Sequence, residues 1–159
     1  MSTAPKAVST VADRTQWLAI LRETAVEVFA TVVGVAVLPD DAILPPAGIT
    51  AMVGIAGPLC ATLGLRCSLQ SATSMAAHML GVSLLEAAPQ QSDALGEICN
   101  IVAGYFKAKI GFGGNCVLSV PTVVVGTNYK ICSQREDLRI KVPLRYESAS
   151  ALVSLDVKP

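Results

Sequence analysis

From residue 42 to residue 65 the chain carries no charged side chain, a run long enough to cross a bilayer as a helix. Its own punctuation argues against that helix. Pro45, Pro46 and Pro58 each remove a backbone donor, and Gly48, Gly54, Gly57 and Gly64 weaken helical pairing further. Gly57-Pro58 divides the run into two halves of strand length. After the division Leu59, Ala61, Leu63, Leu65 and Cys67 alternate with Cys60, Thr62, Gly64, Arg66 and Ser68, a period of two that gathers the apolar residues on one face. The run predicts a β-hairpin with one dry face and no membrane span, so the rest of the chain must supply what covers it.

Residues 93–110 are suited to that cover. At about 100° per residue, Leu95, Ile98, Cys99, Val102, Tyr105 and Phe106 fall on one side of a helix, and Asp93, Glu97, Asn100, Gly104 and Lys107 on the other. In the middle of the wet side a carboxylate and a carboxamide stand three residues apart, beside Ala103 and Gly104, whose small side chains let another surface come close. Asn is a mediocre helix former and Gly104 costs about 1 kcal/mol relative to Ala, so the stripe carries two penalties that contact with a partner would explain. Ser92 or Asp93 serves as N-cap after a connector at residues 87–92, and Gly111-Phe112-Gly113-Gly114 makes the exit.

Two further helices are predicted. Residues 15–33 repeat Trp17, Leu18, Leu21, Ala25, Val28, Phe29 and Val32 at steps of three and four, with Gly34 as the stop and a β-branched end, 31–37, able to turn into a strand. Residues 71–80 end at Gly81, with His78 in the last turn as a capping or packing residue. Beyond residue 116 the texture is strand: 117–125, a turn at 126–128, a short strand at 129–132, and an exposed charged segment at 134–137. Ile140, Val142, Leu144 and Tyr146, then Val153, Leu155 and Val157, alternate with polar residues across a turn at 148–150. Pro143 lacks a ladder donor and belongs at an edge or a bulge. The fold class is therefore α+β, an antiparallel β-sheet covered by long α-helices. With 159 residues, one domain at 13–159 behind a loose tail at 1–12 suffices.

Twelve basic and twelve acidic residues cancel and no Lys/Arg run could track a phosphate backbone, which argues against nucleic acid as a partner. Zero net charge with a mean hydropathy of +0.56 points to self-association as a homodimer. The five cysteines are irregularly spaced and His78 is the one histidine, so no metal site is expected and the thiols read as small buried hydrophobes. The opening Met-Ser-Thr-Ala-Pro-Lys has no apolar core of a signal peptide, and a cytoplasmic setting is expected. The glycines at 111–114 lead into Asn115-Cys116 rather than Gly-Lys-Ser/Thr, and no Gly-x-Ser-x-Gly occurs, so phosphate-loop and serine-nucleophile chemistries both lack their residues.

The order Asp93, three residues, Glu97, two residues, Asn100, with Pro121 further on, resembles the CheX/CheC family of chemotaxis phosphatases. The likeness extends to residues 50–57, 75–81 and 119–122 leading to Gly126, and together these span most of 15–157. It implies a CheC-like fold, a homodimer joined at sheet edges, and a protein substrate, the phosphorylated CheY-like receiver domain of a response regulator. The family's Glu and Asn map onto Glu97 and Asn100 as catalytic residues, and Asp93, Gly104 and Lys107 share their face as partner contacts. Asp93 equally suits a helix cap, and Lys107 a solvated charge. In the first predicted helix Glu23 is followed at the matching position by Val26 and Glu27 by Ala30, so the two-site arrangement lacks its second Asn.

The implied chemistry suits these residue types. An aspartyl phosphate sits beside the receiver's own Mg2+ and lysine, so no cofactor is expected on this chain, and what hydrolysis lacks is a water held in line with the P–O bond. A neutral amide can accept from that water and donate as well, yet cannot ionise, so it positions rather than abstracts. Glu97 would pair with the receiver lysine. A non-catalytic receiver-binding module and a structural homodimer are the alternatives the same residues allow.

Overall fold

The computed structural model describes residues 11–43, 45–112, 114–129, 138–147 and 149–158. In chain order the elements are α1 (Val11–Val28), β1 (Leu38–Pro39), β2 (Ile49–Ala56), β3 (Ala61–Cys67), α2 (Leu69–Leu80), α3 (Leu84–Ala87), α4 (Gln91–Lys109), β4 (Val117–Leu118), β5 (Thr122–Val125), β6 (Leu138–Tyr146) and β7 (Ala149–Val157). The charge-free run folds as the predicted hairpin, with Ile49 opposite Cys67 and Ile55 opposite Ala61. It forms the middle of one antiparallel sheet ordered β1-β6-β7-β3-β2-β4, with β5 also paired to β2. The α+β expectation holds.

One face of the sheet is dry because the period of two is kept on every long strand: Ile49, Ala51 and Val53, Leu63 and Leu65, Val142 and Leu144, Val153 and Leu155 are all fully buried. Helices close over that face, α4 above β2 and β3, α1 above β6, and α2 against both α4 and β7. Trp17 of α1 meets Phe106 of α4 edge to face, ring centres 6.2 Å apart. Beneath α4 the Cys99 thiol reaches the Ala51 and Leu63 carbonyls at 3.6 Å each, and burial pushes its pKa up to about 12. Cys67 is raised to about 12 for the same reason, so both behave as the inert hydrophobes expected, whereas Cys60, in the hairpin turn, is exposed and departs from that expectation.

Several boundaries differ from expectation. The first helix begins at Val11, before residue 15, and its end does not become a strand. Phe29–Val33 widens into a π turn that keeps Phe29 and Val33 buried, and Gly34, at φ 85, closes it with its N–H on the Phe29 carbonyl. Residues 87–92 are helical rather than a plain connector: Ser83 and Glu86 form a capping box that starts α3, and Pro89 sits in the first turn of Ala88–Gln90, where no donor is needed. Consequently neither Ser92 nor Asp93 caps α4; both lie inside its first turn, and the cap position, Gln90, makes no side-chain bond. Residues 117–125 split into β4 and β5 at Ser119, whose hydroxyl accepts the Gly54 N–H at 2.8 Å.

Pro143 lies in β6, next to the two-residue edge strand β1. Its carbonyl accepts the Asp40 N–H at 3.0 Å, and N and O of one antiparallel residue point the same way, so the missing donor faces the outer edge rather than β7. Ser68 caps α2 and Gly81 ends it in the left-handed conformation, with His78 exposed in the last turn. The tail at 1–10 and, beyond Tyr129, the segments expected as a short strand (to 132) and a charged loop (134–137) lie outside the described residues. Among the described residues no helix is long and apolar enough to cross a membrane.

Candidate functional site

The predicted ridge is built by α4. Ala94, Leu95, Ile98, Cys99, Val102 and Phe106 hold its inner side in the core, and that packing fixes which residues face outward. Glu97 is exposed, Asn100 half-buried one turn later, Asp93 exposed one turn earlier, and Gly104 and Lys107 follow along the same side. Neither Glu97 nor Asn100 has a hydrogen bond or ion pair with any described residue. A half-buried carboxamide with unused donors and acceptors is poised to bind something outside this chain.

Two placements correct the helical wheel. Ala103 is fully buried and does not belong to the wet side, whereas Tyr105, assigned to the dry side, is 42% exposed. The smooth surface beside Asn100 comes instead from Gly104, while Gly96 turns inward. Gly96 is buried against β5: a Cβ there would meet Pro121 at 3.4 Å and Val123 at 3.5 Å, so the glycine lets α4 settle directly on that strand. At Gly104 the nearest side chain is Leu118, 3.9 Å from where a Cβ would stand.

Lys107 differs from the solvated charge expected of it. Its ammonium donates to the Cys116 carbonyl at 2.8 Å, bracing the chain that runs from the end of α4 into β4. Between that chain and α4 lies an open groove, with Asn100 on one wall and Leu118, Ser119, Val120 and Pro121 on the other. Val117 and Val120 project from it, 72% and 84% exposed. The sequence pattern named Pro121 but not Gly96 or this valine shoulder; on the wheel Gly96 falls at the border of the two sides, and its burial comes from the contact with β5.

The two carboxylates on α1 that lack a following Asn are tied up. Glu23 and Glu27 converge on the Lys109 ammonium at 3.5 and 2.5 Å. Among the described residues no group of three His, Cys, Asp or Glu could hold a metal ion.

The geometry can be set beside known proteins. The family described as chemotaxis phosphatase CheX matches residues 49–145, more than half of the chain. Chemotaxis protein CheX from Vibrio vulnificus superposes with a TM-score of 0.75 at 20% identity, covering 94% of this chain and all of that one. The Borrelia burgdorferi CheX-CheY-BeF3-Mg2+ complex gives 0.74 at 18% identity over 90% of this chain and 98% of that one. A Desulfovibrio desulfuricans CheX gives 0.71 at 19%, over 90% and 99%. At such identities these likenesses establish the fold, and it is CheC-like. No curated protein matches the sequence. With its motif region covered by the family match and its fold shared with CheX structures over nine-tenths of its length, the chain belongs to the CheX family of chemotaxis phosphatases.

Proposed function

We propose that this protein hydrolyses the aspartyl phosphate of a CheY-like receiver domain, with Asn100 orienting the attacking water and Glu97 docking to the receiver's lysine. The observation that carries the reading is the pair of unpartnered side chains, one turn apart, on a ridge held rigid from below by Gly96 on Pro121 and Val123. In the Borrelia relative a CheX is seen with CheY, BeF3 and Mg2+. Beryllofluoride has the shape of a phosphoryl group, which supports a phosphorylated receiver as the partner here too.

The reaction needs little from this chain. Water oxygen bonds to phosphorus as the bond to the aspartate oxygen breaks, the carboxylate leaves, and the water proton ends on inorganic phosphate. Asn100 lines the water up by accepting a hydrogen bond from it through the amide oxygen; the amide cannot become a base. Glu97, exposed and charged, supplies the contact that sets register, and Asp93 and Gly104 extend the same contact face. Lys107 contributes by bracing the β4 chain. The receiver provides any Mg2+. The working unit is a cytoplasmic homodimer.

Catalytic amounts of the protein should shorten the phosphate lifetime of a receiver from the same genome, followed by loss of radiolabel. Binding of phosphorylated receiver with no change in that lifetime would make the protein a docking module instead.

A further inference from the structure

The face of the sheet away from the helices holds a cavity of about 250 Å3, and its shape follows from strand register. Across β2, β3, β7 and β6 the central row runs Met52, Gly64, Ser154, Lys141. Glycine beside serine leaves a hollow between two bulkier ends. A Cβ on Gly64 would stand 2.9 Å from the Ser154 hydroxyl, so the hollow and the free hydroxyl both depend on that glycine. The neighbouring rows rise around it, with Arg66 on one side and Arg139 and Asp156 on the other.

Charge in the cavity is unbalanced. Arg139 and Asp156 answer each other at 2.5 and 3.3 Å. Among the described residues Arg66 reaches no carboxylate: its guanidinium touches the Pro45 carbonyl at 3.5 Å, and its buried Nε has no hydrogen-bond partner among them. Lys141, exposed at the rim, has no ion pair among the described residues. A buried donor without an acceptor destabilises the empty state, and a guanidinium fork opposite an ammonium, above the Ser154 and Thr62 hydroxyls, matches a group with several anionic oxygens.

We propose that this cavity binds a small organic phosphate, its phosphate between Arg66 and Lys141 and its organic part against Met52 and Leu152. The site is on the opposite side of the sheet from α4 and does not depend on the phosphatase reading.

Titration calorimetry on the full chain with glycerol 3-phosphate, AMP, inorganic phosphate and adenosine tests this. At least one ester should bind saturably with a Kd below roughly 1 mM, more tightly than inorganic phosphate, and adenosine should not bind. Lys141→Met, at an exposed position that the fold does not need, should weaken the ester at least tenfold, and Arg66→Met more. Arg66→Met should also melt higher than the parent without ligand, because the orphaned donor is gone. No saturable ester binding, binding unchanged in Lys141→Met, or a change in oligomer mass in its place would overturn the proposal.

Discussion

Helices α1 and α4 lie side by side, joined by Trp17 and Phe106, and each turns a glutamate toward solvent. Their fates differ. On α1 the carboxylates of Glu23 and Glu27 share one ammonium, Lys109. On α4, Glu97 and Asn100 have no partner among the described residues, and Asn100 borders an open groove. The contrast teaches that a glutamate at helical spacing is not itself a site; a polar group whose hydrogen-bonding capacity is unspent, on a surface another protein can reach, is what distinguishes α4.

The largest expected effect tests that contrast directly. Asn100→Ala should slow receiver dephosphorylation about a hundredfold, equivalent to ~2.7 kcal/mol of barrier, with an unchanged melting temperature. Ala30→Asn in the same variant, which places an Asn at the matching distance from Glu27, should restore nothing, because Glu27 is already paired and residue 30 lies in the π turn. Rescue of turnover by Ala30→Asn would break the comparison.

Next in size is Glu97→Gln. If the carboxylate docks rather than reacts, KM for phosphorylated receiver should rise about tenfold, near 1.4 kcal/mol, with kcat little altered, and the effect should shrink in high salt. A fall in kcat alone would assign Glu97 to the chemistry.

Most of this arrangement was legible in the sequence, for identifiable reasons. The hairpin showed because Gly57-Pro58 punctuates an otherwise uncharged run, and β6 and β7 showed because they alternate cleanly. The ridge showed because Leu95, Ile98, Val102 and Phe106 keep a helical period. Where the reading failed, a non-local contact decided. Ala103 reads as part of the wet side and is buried in the core, and Tyr105 reads as dry and is exposed. Lys107 reads as a free charge until the Cys116 carbonyl, nine positions on, folds back to it. Asp93 read as a cap because the capping box of Ser83 and Glu86 begins the helical path earlier, through α3.

The buried side of α4 gives a third test. Desolvation lifts the Cys99 and Cys67 thiols to about 12 from an ordinary 9.0, so the unfolded chain loses these protons first as pH rises. Their contribution is intact below pH 9.0 and declines above it, by up to about 1.4 kcal/mol per pH unit for each thiol, until pH approaches about 12. Denaturant unfolding at pH 8 to 10 should show this decline, shallower in Cys99→Ala, whose own cost appears at every pH. An identical slope in that variant would remove Cys99 from the account.

The smallest effect belongs to α1. The Glu27 hydrogen bond, ahead of the attraction of Glu23, raises the Lys109 pKa above its ordinary 10.5, so this pair contributes throughout the neutral range and is lost only as pH climbs past that value. Glu23 and Glu27 are 73% and 45% exposed, and solvent screening limits such a pair to about 0.5 kcal/mol. Glu27→Gln should therefore lower stability by no more than that, and in about 1 M salt by nothing measurable. Receiver dephosphorylation should be untouched, since α1 takes no part in it. A loss of turnover in Glu27→Gln, with stability intact, would mean that the paired carboxylates of α1 and the unpaired groups of α4 act on the same substrate, and the distinction drawn between the two helices would fail.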